Sequence, residues 1–324
     1  MKTVVICPGG ATTGGVELLH QLVDRLVYFG CDAYICYYPF GKNYVQPDAY
    51  RKYQSRLISP TAIDPQRDTI ILPEVYIYLA YRFLPDRTYI WWMSVDNYIN
   101  SGSIFYALRN RFLPWHYIKI NSREIKDKFA GHLCQSEYAR LYLSNHNIDN
   151  LHLLSDYIND DYVQRSSSIY ISRKKPIVVY NPTKGIEQTK KILSHLSGID
   201  VIPIINMTRD QVMDLLSNAM VYIDFGNHPG KDRIPREAAM LGCCVITNLR
   251  GSAANSIDIP IHPRYKFDDA QSGFERNVVD LIYEITNDFT SHYKTFNFYR
   301  DIISCEKDVF ERSVQSFLTF TRKL

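Results

Sequence analysis

Short runs rich in apolar residues, the first of them unbroken, recur along the chain and limit what it can fold into. They are TVVIC at 3–7, AYICYY at 33–38, TIILP at 69–73, TYIWWMSV at 88–95, HLCQS at 132–136, IVVYN at 177–181, VIPII at 201–205, MVYIDF at 220–225 and CVITN at 244–248. A strand with one wet face alternates apolar and polar residues, whereas a strand covered on both faces reads as continuously apolar, the mark of parallel sheets. Between the runs the period changes. Leu19, Leu22, Val23, Leu26 and Phe29 recur at helical spacing, and Gly30 supplies a stop. Similar helical stretches follow at 186–196 and 209–219, and the chain from Phe274 onward reads as mainly helical. Strand and helix in alternation predict a doubly wound α/β architecture.

At 324 residues the chain exceeds the roughly 150 of one domain. Periodicity fails in the polar stretch SDYINDDYVQRSSSIYISRKKP at 155–176, so the expected division is 1–165 and 166–324, with a final helix crossing back onto the first domain. Charge is balanced, 37 Lys and Arg against 34 Asp and Glu for a net +3. That argues against nucleic acid as a partner, which calls for concentrated positive charge. The seven cysteines form no Cys-x-x-Cys pair, so neither a zinc site nor a disulfide framework is indicated and a reducing cytoplasm is expected. The N-terminal apolar run is too short for a signal-peptide core, and no run of about 18 apolar residues would span a membrane.

Chemistry-bearing residues gather after the strands. PGGATTGGVELL at 8–19 opens the first helix with Gly14 and Gly15, where a backbone free of side chains lets a phosphate or sugar approach a helix N-terminus. It is neither a Gly-x-Gly-x-x-Gly fingerprint nor a Walker loop, and a plain tight turn is the alternative reading. YNPTKGIEQTKK at 180–191 presents Lys184 just before a helix, either as a point charge for a phosphate or as a solvated turn lysine. The richest stretch is YIDFGNHPGKDRIPREAAMLGCCVITN from Tyr222, in which Lys231, Asp232, Arg233, Arg236 and Glu237 crowd into seven positions between two apolar strands. Open α/β sheets bind ligands at the carboxyl ends of their strands. Pro235 fits the first turn of the helix that follows, and Glu237 in that turn would complement the helix dipole. Lys231 and Arg233 beside a helix N-terminus repel its positive end, so they point to an arriving anion, held on an exposed loop. His228 in NHPGK is placed to donate to a phosphate or sugar oxygen. RGSAANS at 250–256 forms a small-residue loop at the same sheet edge, so the loops after three strands are expected to converge on one anion.

These motifs resemble those of bacterial GT-B fold glycosyltransferases of the polysaccharide-biosynthesis type, over nearly the whole chain and most strongly from 177 to 256. The resemblance implies two Rossmann-like domains facing an interdomain cleft. It implies that Lys184 and Gly185 contact a donor diphosphate, that Glu237 in EAAMLG holds the nucleotide ribose, and that Gly251, Ser252 and Ala253 offer backbone N–H groups to the diphosphate. Gly14 and Gly15 match the N-terminal glycine loop. Two departures stand out: Pro229 occupies the position of the first glutamate of a common pair, and an arginine upstream of the Lys-Gly pair is replaced by YNPTKG. The implied activity is transfer of a sugar from a UDP- or GDP-linked donor to a glycan or lipid-linked acceptor in cell-surface polysaccharide synthesis. A nucleotide-sugar epimerase of the same fold and a non-catalytic sugar-binding subunit are the alternatives.

Asp96 in WWMSVDNY is the acid best placed to meet an acceptor hydroxyl as a general base, with capping of the next turn as its plain alternative. Lys231 and His228 complete the expected catalytic group, and His20 reads as a packing residue. The segment 109–128 mixes Arg109, Arg111, Lys119 and Arg123 with Phe112, Trp115 and Tyr117, which suits either peripheral contact with an anionic membrane at its inner face or a solvated surface. No Asp-x-Asp pair occurs, so no metal and no cofactor besides the nucleotide-sugar substrate are expected.

Overall fold

The computed structural model describes residues 1–101 and 129–321. The basic and aromatic segment 109–128 lies outside the described residues. The chain divides into two compact units, Met1–Asp156 with Asp308–Leu324, and Tyr157–Lys307. The division comes earlier than the 165/166 boundary read from polarity, because Ile158 and Tyr162 are buried in the core of the second unit. The last helix, Glu306–Thr321, starts in the second unit and passes into the first within its opening turn.

The first unit holds six parallel strands: β1 (Thr3–Pro8), β2 (Ala33–Tyr38), β3 (Thr69–Pro73), β4 (Thr88–Trp92), β5 (Gly131–Cys134) and β6 (Leu151–Leu153). Their order is β2-β1-β3-β4-β5-β6. Val4, Val5, Ile6, Ile70, Ile71, Ile90, Trp91 and Trp92 are all at 0% exposure, which is why these strands show no polar alternation. The expected strand at 88–95 is shorter, ending at Trp92. Ser94 takes over as a helix start, its Oγ accepting the Asn97 N–H at 3.2 Å.

The second unit holds five parallel strands: β7 (Lys175–Tyr180), β8 (Asp200–Pro203), β9 (Ala219–Asp224), β10 (Cys244–Asn248) and β11 (Lys266–Phe267), in the order β11-β10-β9-β7-β8. The chain leaves β7 toward β8 on one side and returns to β9 on the other. The switch point therefore lies between β7 and β9, where doubly wound sheets open a crevice at their carboxyl ends. In the first unit the corresponding place is between β1 and β3. Among the described residues no helix is long and apolar enough to cross a membrane.

Candidate functional site

At the switch point of the second unit the loops after β7, β9 and β10 are stitched together. Gly185 adopts φ +63°, and a Cβ there would stand 2.2 Å from the Phe225 carbonyl oxygen, so only glycine lets these two loops touch. Gly226 in turn has no side chain to block the stem of Lys184, whose Cγ lies 2.6 Å from where a Cβ would be. Lys184 is thereby laid across the end of β9. Its Nζ is 3.1 Å from Asp224 Oδ2, bonds Asp232 Oδ2 and reaches the Asn227 carbonyl at 3.4 Å. Burial disfavours the ammonium, but Asp224 and Asp232 outweigh that and hold it charged above its ordinary pKa. Burial likewise raises the Asp232 carboxyl, and the His228 ring and Lys184 more than reverse it, leaving Asp232 below its usual range.

The third loop joins through Gly251, at φ +56°, where a Cβ would lie 2.0 Å from the His228 carbonyl oxygen. Ser252 donates its backbone N–H to that same carbonyl at 2.9 Å and its hydroxyl to the Gly230 carbonyl at 2.6 Å. The Ala253 N–H goes to Arg250 O at 3.1 Å. The N–H groups of Ser252 and Ala253, expected to address a diphosphate, are thus committed to holding the loop. Ser252 is structural here.

Three further expectations change. Lys231 is not on an open loop: its side chain is 13% exposed and its Nζ lies 2.8 Å from Glu306 Oε1. Arg233 is the first residue of the helix Arg233–Met240, so Glu237 opens the second turn and not the first, with 9% exposure. His228 is fully buried and so cannot donate to a ligand oxygen from the surface; Nδ1 is 2.8 Å from Asp232 Oδ2 and Nε2 3.8 Å from Asp224 Oδ1, though neither meets hydrogen-bond geometry. Asp232 sits at the N-cap of the helix without capping it, because its carboxylate faces Lys184 and His228.

Arg236 is the anchor beneath these loops. At 0% exposure it donates from Nε to Asp232 O at 3.0 Å, from Nη2 to Lys231 O at 2.7 Å, and from Nη1 to Glu306 Oε2 at 2.7 Å. In this region Lys184, Lys231, Arg233 and Arg236 are matched by Asp224, Asp232, Glu237 and Glu306, four charges of each sign. The charges of this region therefore balance, with Lys184, Lys231 and Arg236 held in ion pairs.

In the first unit, Gly14 and Gly15 are exposed at the start of the helix Gly14–Tyr28, capped by Thr13, and a Cβ at Gly15 would meet nothing within 4 Å. The fold does not demand glycine at position 15. His20 is buried between Ser55 Oγ at 2.8 Å and the Tyr37 hydroxyl at 3.1 Å, and burial lowers its pKa to about 4 against a smaller opposing pull from Glu17. It is a neutral packing histidine, as read. Asp96 is half-buried in the helix Val95–Ser101 and accepts the Tyr138 hydroxyl at 2.9 Å; Ser94, not Asp96, caps that helix. Sequence reading passed over Glu74, directly after β3 at the switch point of the first sheet. It is 2% exposed and accepts the Met93 N–H at 3.0 Å on Oε2. Burial, against three backbone N–H groups, pushes its pKa up to about 7. Its signal was legible: an acid closing the apolar run TIILP.

Because the folded pKa of Glu74 is raised, the folded chain keeps this proton where the unfolded chain loses it. Its contribution is full below about pH 4.5 and is lost as pH rises through about 7, at about 1.4 kcal/mol per pH unit between. Glu74→Gln is expected to flatten that slope, so that the variant gains on wild type as pH rises from 5 to 8 in denaturant unfolding. Parallel pH curves for the two proteins would contradict the assignment.

The fold is shared with solved glycosyltransferases. Sucrose-phosphate synthase from Thermosynechococcus elongatus matches with a TM-score of 0.66 and 11% identity over 100% of this chain and 99% of that one. Anabaena HepE, solved with UDP-glucose, matches with 0.62 and 10% over 98% and 99%. WaaG, a glycosyltransferase involved in lipopolysaccharide biosynthesis, matches with 0.63 and 10% over 97% and 99%. No protein-family model matches the chain, and no curated protein matches it in sequence. At these identities the likeness establishes the architecture: two parallel α/β units of the GT-B fold.

Proposed function

We propose that the chain is a glycosyltransferase that moves a sugar from a nucleotide-sugar donor, UDP- or GDP-linked, to a glycan or lipid-linked acceptor, working at the inner face of a membrane. The observation that carries this reading is the convergence of three strand-end loops at the switch point of the second sheet, through Lys184 to Asp232 and through Ser252 to His228 and Gly230. HepE, which shares the fold, has been solved with UDP and with UDP-glucose. In the proposed site Lys184 and Arg233 address the diphosphate with the N-terminus of the helix Arg233–Met240, a preorganised field for the charge that develops as the sugar departs. Lys231 supports them from its pair with Glu306, Gly251 keeps the loop backbone close, and Glu237 takes the ribose. Gly14 and Gly15 leave room for the donor at the first helix, and Asp96 accepts the proton of the acceptor hydroxyl. His228 acts as a positioning residue, through Asp232.

Catalysis without a divalent metal is part of this reading. Among the described residues, one cluster has the makings of a metal site, Asp224 with His228 and Asp232, and the Lys184 ammonium sits on two of its carboxylates.

A nucleoside diphosphate is expected to raise the thermal midpoint more than its monophosphate at equal concentration, because a ligand that binds only the folded state stabilises it in proportion to its affinity and the loops address the second phosphate. Equal shifts from UDP and UMP, and from GDP and GMP, would count against this placement of the donor.

A further inference from the structure

Asp224, His228 and Asp232 stand four residues apart, and each offers one ligand atom, the three lying within 4.8 Å of one another. Acids near each other would carry little by themselves. His228 adds an independent sign, for its ring is 0% exposed and neither nitrogen meets hydrogen-bond geometry with a neighbour. A buried imidazole left so is costly. Its nitrogens face the two carboxylates, 2.8 Å from Asp232 Oδ2 and 3.8 Å from Asp224 Oδ1. Two carboxylates and one imidazole form the mixed oxygen and nitrogen set that zinc, cobalt and manganese accept, with a position left open for a further ligand. A cation already stands there. The Lys184 ammonium lies 3.1 Å from Asp224 Oδ2 and bonds Asp232 Oδ2.

We propose that Asp224, His228 and Asp232 are a divalent-metal site whose cation position is filled by the Lys184 ammonium, so that the lysine serves as a built-in substitute for a metal ion. The substitution is sterically prepared: Gly226 leaves the groove along which the lysine stem reaches the carboxylates, and a Cβ there would meet Lys184 Cγ at 2.6 Å. Shortening Lys184 opens the same groove as an entry path for an ion. Tetrahedral ligands at roughly 2 Å from zinc lie roughly 3.3 Å apart, so the three side chains must draw in by no more than about 1.5 Å. The inference rests on these ion pairs and not on sugar transfer.

The test is titration of Lys184→Ala and wild type with Co²⁺, read by the visible absorption of the bound ion, and with Zn²⁺, read by the thermal midpoint. Lys184→Ala is expected to bind one Co²⁺ per chain about 100-fold more tightly than wild type, and Zn²⁺ to raise its midpoint while leaving that of wild type unmoved. Adding His228→Gln should abolish the Co²⁺ band. Equal binding by wild type and Lys184→Ala, or a band that survives His228→Gln, overturns the proposal. Should Lys184→Ala fail to fold alone, Lys184→Met is refolded from denaturant with and without Zn²⁺. Refolding with the ion supports the proposal. No refolding in either condition overturns it, because an ion in that place supplies the charge the lysine supplied. Sugar transfer is not among the readouts, so a protein with another activity passes or fails on the same terms.

Discussion

Arg236→Ala should destabilise the second unit by about 3–5 kcal/mol, the range for removing one partner of a buried ion pair. The loss is large because the guanidinium serves three acceptors at once. Without it the Lys231 and Asp232 carbonyls lose these donors, and Glu306, 3% exposed, is left with Lys231 as its ion-pair partner among the described residues. Removing both charges together should cost less than the sum of the single losses, since neither partner is then stranded. Denaturant unfolding of Arg236→Ala, Glu306→Ala and the double variant measures this. Additive losses would mean that the pair is not coupled.

Gly251→Ala is expected to have the second large effect. A left-handed φ of +56° costs an alanine about 1–2 kcal/mol, and its methyl would also stand 2.0 Å from the His228 carbonyl oxygen, an atom of rigid backbone. The loop must therefore move, and with it the Ser252 bonds to His228 and Gly230. A control is built into the chain. Gly198, at φ +69°, has nothing within 4 Å of its Cβ position, so Gly198→Ala should show the conformational cost alone. The expected result is a drop in unfolding midpoint for Gly251→Ala at least twice that for Gly198→Ala. Equal drops would show that the contact with His228 is not maintained.

The strands were legible because burial on both faces writes itself locally: MVYIDF and CVITN can be placed without knowing what covers them. Two short edge strands were not. Leu151–Leu153 and Lys266–Phe267 are too short for any period to show. At the site, the convergence of loops could be read from charge and glycine placed after apolar runs, but the pairing of those charges could not. Glu306 lies 70 residues beyond Arg236, and Asp232 lies 48 beyond Lys184. Such contacts leave no local pattern, which is why Lys231 looked unpartnered and Ser252 available. Asp224 had a visible mark, an acid ending an apolar strand, as Glu74 had after β3. The two acids lie at the switch points of the two sheets.

Sugar transfer is tested most directly by nucleoside diphosphate release from a panel of UDP- and GDP-sugars, with glycan and lipid-linked acceptors, in excess EDTA and with added Mg²⁺ or Mn²⁺. One donor is expected to turn over equally under both conditions. Lys184→Ala should lose about tenfold or more of that rate, the worth of one charge-assisted hydrogen bond. Turnover abolished by EDTA and restored by metal would contradict a diphosphate held by lysine, arginine and a helix N-terminus, and release from no donor with any acceptor would contradict transfer itself.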